Sequence, residues 1–293
     1  MWTLLQIELF KIFKKPRTYL AFAIIAAFIL LIQLGLYVNG KDLMKFMIGS
    51  MEDTMVIEYD KLINGYWICF FILNLLLVHV PILVALVAGD VVSGEASMGT
   101  LRLLAAKPVS RTQIILAKYF ATGVYVFALL LWIALISLVI SIAVFGVNDL
   151  VITKQNGIQL IEANDILWRY FFAFGFAFVA MMVVAAISLL LSTLSENSIG
   201  PIVATVGIII LCTLVSEMEI PIYQKYIKPY LFTTYMLGWK GFFYIGSAED
   251  GETIKGSIEY LPAILKSLAA LMIYIIVLVS ASVYFFRKKD ILS

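Results

Sequence analysis

Tyr66-Trp-Ile-Cys-Phe-Phe-Ile-Leu-Asn-Leu-Leu-Leu-Val-His-Val-Pro-Ile-Leu-Val-Ala-Leu-Val-Ala-Gly89 runs without a formal charge when its histidine is neutral. A helix rises about 1.5 Å per residue and the hydrocarbon core of a bilayer is about 30 Å thick, so a run of this length is what one crossing requires. Comparable runs lie on both sides of it. Six spans are expected, at residues 18–38, 66–89, 114–145, 167–191, 199–215 and 261–286. The third is long enough to tilt or to continue beyond the lipid; the fifth is near the minimum, with Gly200 and Pro201 at its start. None shows the alternation over about ten residues that a membrane barrel strand needs. Composition agrees, since 63% of the 293 residues are hydrophobic and 14% are charged, against roughly 25% charged in soluble domains. The expected fold is all-α, a polytopic membrane protein forming one domain over residues 1–293.

Basic loops are retained in the cytoplasm, so the placement of Lys and Arg gives an orientation. With six spans, one side carries Lys11, Lys14, Lys15, Arg17, Arg102, Lys107, Arg111, Lys118, Arg287, Lys288 and Lys289, against the acids Glu8, Asp90, Glu95, Glu196 and Asp290. The other side carries the remaining basic residues spread over a longer stretch and most of the acids. Both termini are therefore expected in the cytoplasm of a multi-pass cell-membrane protein, and the net charge of +2 conceals this asymmetry. Such clusters set topology and meet anionic lipid; nucleic acid is not an expected partner. Residues 1–17 read as a cytoplasmic interfacial segment, with a helix over residues 2–13 stopped by Pro16. The apolar run that follows is of spanning length and lacks a small-residue cleavage site, so it reads as an uncleaved first span rather than a signal peptide.

Catalytic constellations are missing. Cys69 and Cys212 fall inside spans without CxxC spacing and read as small core residues. His79 is the single histidine, which excludes an HExxH zinc site, and no GxSxG elbow accompanies it. An ionisable group within a span is costly and becomes a functional candidate. Asn74 and His79 are thus candidate pathway-lining residues; the alternative for His79 is a neutral imidazole bonded to a carbonyl freed by Pro81. GxxxxGK[ST] is absent, so any ATP must be bound by another chain.

The loop expected between the second and third spans, residues 90–113, reads Asp90-Val-Val-Ser-Gly-Glu-Ala-Ser-Met-Gly-Thr-Leu-Arg-Leu-Leu-Ala-Ala-Lys-Pro-Val-Ser-Arg-Thr-Gln113. Leu101, Leu104 and Ala105 share one face, with Glu95, Ser97 and Arg102 polar, which predicts a short amphipathic helix. Pro108 ends it, and Ser110-x-x-Gln113 predicts a capping box opening the third span. A rigid helix joined to two spans is placed to receive a push from a cytoplasmic partner.

Gly94-Glu95, Gly99-Thr100-Leu101, Leu103-Leu104, Lys107-Pro108-Val109-Ser110-Arg111 and Lys118 resemble the signature of the permease subunits of type 2 ATP-binding-cassette (ABC) exporters. In that family the Glu-x-x-x-Gly-Thr-Leu and Pro-x-Ser-Arg elements form the coupling helix that sits in a groove of the ATPase. The N-terminal Glu8-x-x-Lys11, the Lys14-Lys15-Pro16-Arg17-Thr18 run, the six spans and the basic C-terminal end extend the likeness along the chain. The resemblance implies an export permease paired with a second copy or a homologous permease and with two copies of a cytoplasmic ATPase. It implies no catalytic residue, metal or cofactor on this chain, ATP and Mg residing on the ATPase. It also implies that Glu95, Thr100, Leu101, Leu104 and Arg111 contact or orient that partner.

Residues 217–260 form the longest non-spanning segment, aromatic and Gly-rich, and are expected to hold short helices dipping into the outer leaflet. The family often carries re-entrant helices at this place. Trp239, Phe242, Phe243 and Tyr244 read as interfacial anchors or as part of an exit gate. The outer loops 39–65 and 146–166 are short and acidic. A membrane component serving assembly, signalling or gliding motility is the alternative function. A secondary transporter is disfavoured by the absence of an internal repeat or of a charged pair within the spans.

Overall fold

The structure, a computed structural model, describes residues 1–48, 62–101, 108–154, 157–218, 220–246 and 254–289. Helix α1 (Trp2–Lys14) stops where Lys15 takes an extended backbone, and α2 (Pro16–Ile48) starts at the proline. This is the corner expected there: Pro cannot donate to a preceding turn but fits the first turn of a new helix. Thr18 Oγ1 donates back to the Ile12 carbonyl at 2.5 Å and fixes the angle. Helix α3 (Gly65–Ala88) leads through a turn to the short α4 (Ser93–Ser97), and α5 (Arg111–Ala134) follows. A π-helical segment (Leu135–Ile140) and α6 (Ser141–Phe145) continue α5. Helices α7 (Leu167–Leu194), α8 (Ile199–Glu217) and, at the end of the chain, α11 (Leu261–Lys288) complete the long elements. Between α8 and α11 come α9 (Pro221–Tyr226), α10 (Phe232–Met236) and a 3₁₀ helix (Leu237–Phe243).

Among the described residues, six helices are long and apolar enough to cross a membrane: Pro16–Gly40, Gly65–Ser97, Arg111–Phe145, Ala163–Leu194, Ile199–Glu217 and Leu261–Lys288. They match the six runs read from the sequence, with ends that differ by a few residues. Burial differs sharply among them: 61% of the apolar window of the fourth is covered by protein, but only 11% of that of the last. Helix α7 is therefore the core of the bundle, and α11 presents most of its apolar surface outward.

Two features depart from the sequence reading. The stretch after Val38 is helical as far as Ile48, with a kink at Asn39 (φ −123°, ψ 16°), where a loop was expected. The stretch after Gly146 forms an antiparallel hairpin, β1 (Leu150–Lys154) and β2 (Gly157–Ile161), a small addition to a fold that is otherwise helical, as expected. Its register pairs Leu150 with Ile161 and Ile152 with Gln159. These four side chains are buried while Leu160 is exposed, which is the period-two alternation of a strand with one covered face. Gln159 ties the hairpin down by donating to the Ile245 carbonyl at 2.7 Å.

Close approach and polar bonds hold the helices together, since lipid tails offer no hydrophobic incentive for helices to pair. Gly65 is needed where α3 meets α6, because a Cβ there would lie 2.5 Å from the Ile142 Cα. Asn64 caps α3 by accepting from Tyr66 N and Trp67 N at 3.0 Å, and donates to the Asp149 carbonyl at 2.7 Å. In the π segment one carbonyl loses its usual partner. Gln33 on α2 supplies a substitute, its Nε2 donating to Ile136 O and to Ser141 Oγ, each at 2.9 Å.

Arg169, near the start of α7, is fully buried. Its Nη2 donates to Asp165 Oδ2 at 2.6 Å and to Ser257 O at 2.9 Å, and its Nη1 to Phe242 O at 2.6 Å. Asp165 also accepts from Trp168 Nε1 at 2.7 Å and from Gly256 N at 3.2 Å. One guanidinium thus fastens both sides of the segment between α8 and α11 to the core helix. Trp239, Phe242 and Phe243 are buried against Phe70, Phe176 and Tyr170. They pack inside the protein, not at its surface as anchors. Arg169→Leu removes the cation and leaves Asp165 buried, which costs about 3–5 kcal/mol. Thermal unfolding in detergent should fall accordingly, and hydrogen exchange should rise first at residues 237–246.

Candidate functional site

The end of the bundle formed by α1, α4 and the start of α5 holds a lattice of charges that begins with Lys118. This side chain sits on the buried face of α5 with none of its surface exposed. An ammonium there must be paired and hydrogen-bonded to remain charged. Its Nζ meets Glu8 Oε2 of α1 at 2.9 Å and Glu95 Oε1 of α4 at 2.8 Å, and donates to the Val91 carbonyl at 2.9 Å. Lys11 lies one turn along α1 from Glu8 and closes the ring, with Nζ 2.7 Å from both Glu8 Oε1 and Glu95 Oε1. Burial opposes the charge of Lys11, but its bonds to the two carboxylates outweigh that and hold its pKa above the ordinary lysine value. Glu95 Oε2 is buried and, among the described residues, has no hydrogen-bond partner.

Beside this ring Asp90 is buried between Lys15, at 2.6 Å, and Arg17. Gly94 makes room for it: a Cβ at that position would lie 2.4 Å from Asp90 Oδ1. The backbone of the corner is held by Ser192 of α7, whose Oγ accepts from Val92 N at 3.1 Å and from Ser93 N at 2.9 Å. The corner between α3 and α4 is thus fixed by α1, α2, α5 and α7 together.

The amphipathic helix expected over this loop is broken. Gly99 has φ +69° and ends α4, a conformation that glycine adopts without the cost of a Cβ. Helical backbone resumes at Thr100 and Leu101. Thr100 is exposed, with its hydroxyl donating to the Glu95 carbonyl at 3.3 Å, whereas Leu101 is buried in the protein's own core. Met98 is the most exposed apolar residue of the turn, at 62%. Leu104, like Arg102, Ala105 and Lys107, lies outside the described residues. The capping box is present: Ser110 Oγ accepts from Gln113 N at 3.2 Å, and Gln113 Oε1 accepts from Ser110 N at 3.3 Å. Arg111 is bonded elsewhere, its Nη1 donating to the carbonyls of Phe286, Arg287 and Lys289 at 3.3, 2.9 and 2.6 Å, so it closes the C-terminus of α11.

The intramembrane candidates stand apart from this site. Asn74 Nδ2 donates to the Phe70 carbonyl at 2.8 Å, a bond within its own helix. His79 is exposed, bonded through Nδ1 to the Leu75 carbonyl at 2.9 Å, with its ring tilted 31° against that of Phe28 at 4.8 Å. Its partner carbonyl is not the one at Leu77 that Pro81 leaves without an i+4 donor. A half-open cavity of about 60 Å³ lies between α3, α5 and α7, lined by Leu73, Leu77, Val80, Ile133, Ala177 and other apolar side chains; neither Asn74 nor His79 lines it. Among the described residues no cluster of His, Cys, Asp and Glu is placed to hold a metal ion.

The sequence reading assigned Glu8, Lys11 and Lys118 to topology and to the family pattern without seeing that they meet. Lys118→Met leaves Glu8 and Glu95 with a single ammonium and should cost about 3–5 kcal/mol. In a double-mutant cycle with Glu8→Gln, thermal unfolding should show the second substitution costing much less in the Lys118→Met background than alone.

No curated protein matches the chain. A family model does, over residues 23–292, and on that match the chain belongs to the family described as "Protein of unknown function (DUF2705)".

Proposed function

We propose that this protein is the transmembrane subunit of an ATP-driven ABC-type export complex, coupling through the corner between α3 and α5 to a separate ATPase. The observation that carries the reading is the position of Glu95. The residue that opens the Glu-x-x-x-Gly-Thr-Leu element is bonded at once to α1 through Lys11 and to α5 through Lys118. A force applied at Met98 or Thr100, both exposed, would be passed to two further helices through bonds of 2.7 and 2.8 Å rather than absorbed by a loose loop. On this reading both termini are cytoplasmic in a cell membrane, α1 lies along the inner interface, and a second permease subunit completes the complex.

ATP can drive such a cycle only if the ATPase binds two permease arrangements with different affinity. The chain supplies the two-state element; the partner supplies nucleotide and Mg. The exposed apolar faces of α2, α8 and α11 are available to lipid and to the second permease, which fits the slight burial of the last helix within one chain.

The test uses surface residues, because Glu95 and Leu101 are buried and their replacement would disturb the fold. The full chain is purified from its native host in mild detergent, as wild type and as Met98→Asp plus Thr100→Arg. A soluble Walker-type ATPase should co-elute with wild type and be lost from the variant, while the thermal unfolding of the variant stays within a few degrees. If no ATPase accompanies wild type under gentle extraction, the exporter reading fails and the assembly or signalling alternative takes its place.

A further inference from the structure

The charge lattice is not balanced throughout. Lys11 and Lys118 meet Glu8 and Glu95, two cations for two carboxylates, whereas Asp90 alone faces both Lys15 and Arg17. Among the described residues this leaves one more cation than carboxylate, and Lys15 and Arg17 both face an open cleft. Lys15, Arg17 and Asp90 form one wall of this space of about 390 Å³, and Ser97, Met98 and Ser198 border it from α4 and the start of α8. Glu196, although close in sequence, does not line it.

Hydrogen-bond capacity points the same way. Ser97 Oγ already donates to the Gly94 carbonyl at 3.0 Å, so its remaining capacity is to accept, and Ser198 Oγ lies 3.4 Å from it. Ser198 precedes α8 but its side chain caps nothing. With Ser97 as the acceptor, Ser198 spends its one proton on Ser97, so the donors left to the cleft are the cationic groups of Lys15 and Arg17. Lys15 and Arg17 are each about one-third exposed, so their charged ends are held by Asp90 yet reachable from outside. Two cationic donors side by side suit one phosphate group.

The surroundings of the cleft distinguish a lipid phosphate from a dissolved one. It opens where α2 and α8, both candidate spans, begin. Ile199 and Val203 on α8, at 67% and 62% exposure, and Tyr19 and Leu20 on α2, at 59% and 57%, extend apolar surface away from these helix starts. A free phosphate has no use for such surface, whereas a phospholipid bound by its headgroup lays its acyl chains on it. Basic pockets between spanning helices on the cytoplasmic side are a recurrent means of holding anionic lipid.

We propose that this cleft binds the headgroup of an anionic phospholipid, with Lys15 and Arg17 on the phosphate and the acyl chains along the outer faces of α2 and α8. The proposal rests on the placement of these helix ends at the inner membrane boundary but not on the presence of an ATPase, so loss of that partner leaves it standing. Asp90 holds the two cations side by side and lowers their mutual repulsion without cancelling their excess. A zwitterionic phosphatidylcholine brings no net charge to this excess and should be held more weakly.

The experiment is native mass spectrometry of the full chain, released from detergent after equilibration with equal amounts of phosphatidylglycerol and phosphatidylcholine. Wild type should retain phosphatidylglycerol in roughly tenfold preference. Lys15→Gln, which leaves Asp90 balanced by Arg17 alone, should reduce that preference to near parity, and Lys15→Arg should keep it, which separates loss of the charge from damage to the fold. Equal retention of the two lipids by wild type, or an undiminished preference in Lys15→Gln, overturns the proposal. So does displacement of the bound lipid by millimolar inorganic phosphate, which would assign the cleft to a soluble anion.

Discussion

A lysine ammonium sealed from solvent decides how one end of this bundle is built. Water cannot solvate the charge of Lys118, so carboxylates must be brought to it, and the two that come belong to α1 and α4. Apolar contact holds α1 in part, through Ile12 and the half-buried Leu5, Leu9 and Phe13, and the ion pairs add to it. Helix α4 has five residues, too few to be stable by itself, and α1 exposes Trp2, Ile7 and Phe10. Their position is set in part by the need to neutralise a charge that α5 carries inward. Once α4 is fixed, the exposed turn at Met98 and Thr100 is fixed with it.

The other end follows the same rule with different groups. Arg169 enters the core from α7 and collects one carboxylate and three backbone carbonyls, among them Asp165 O at 2.9 Å. A guanidinium has five donors in a plane and can gather several chain segments at once, where an ammonium gathers individual charges. That difference suits the two tasks. Arg169 pins irregular backbone, the 3₁₀ helix and the stretch around Ser257, which needs acceptors satisfied. Lys118 links side chains that project from regular helices. Between these ends the bundle relies on close packing and on short polar links, such as Thr205 to Ser188 at 3.2 Å and Tyr119 to the Met182 carbonyl at 3.1 Å.

The long helices were legible because a membrane imposes length and polarity on each run separately, so residues 66–89 can be read without knowing what they touch. The Ser110 and Gln113 cap was legible for the same reason: it is complete within four residues. The hairpin was readable in principle, since the turn-forming Asn156 stands between the runs Val151-Ile152-Thr153 and Ile158-Gln159-Leu160-Ile161, but a reading set on helices and acidity passed over it. Asn39 marks a kink and not an end because Lys41-Asp42-Leu43-Met44 offers no turn chemistry to stop the helix. The lattice was hidden for a different reason. Glu8 and Lys118 are 110 residues apart, and counting charges by side of the membrane treats each as independent. Only Glu95 was singled out in advance, through the motif that it opens, and the structure adds what it is bonded to.

The π segment at Leu135–Ile140 also changes how α5 and α6 must be read. A turn closed by i→i+5 bonds holds about one residue more than an α turn. The angular phase of the helix therefore slips by roughly the 100° that one residue occupies. A single helical wheel drawn from Arg111 to Phe145 would place the residues after Ile140 on the wrong side, putting Ser141, which is buried against Gln33, out of line with the covered face of α5. The chain holds two amphipathic patterns in succession, and the extra residue is the splice that lets both face the same neighbours.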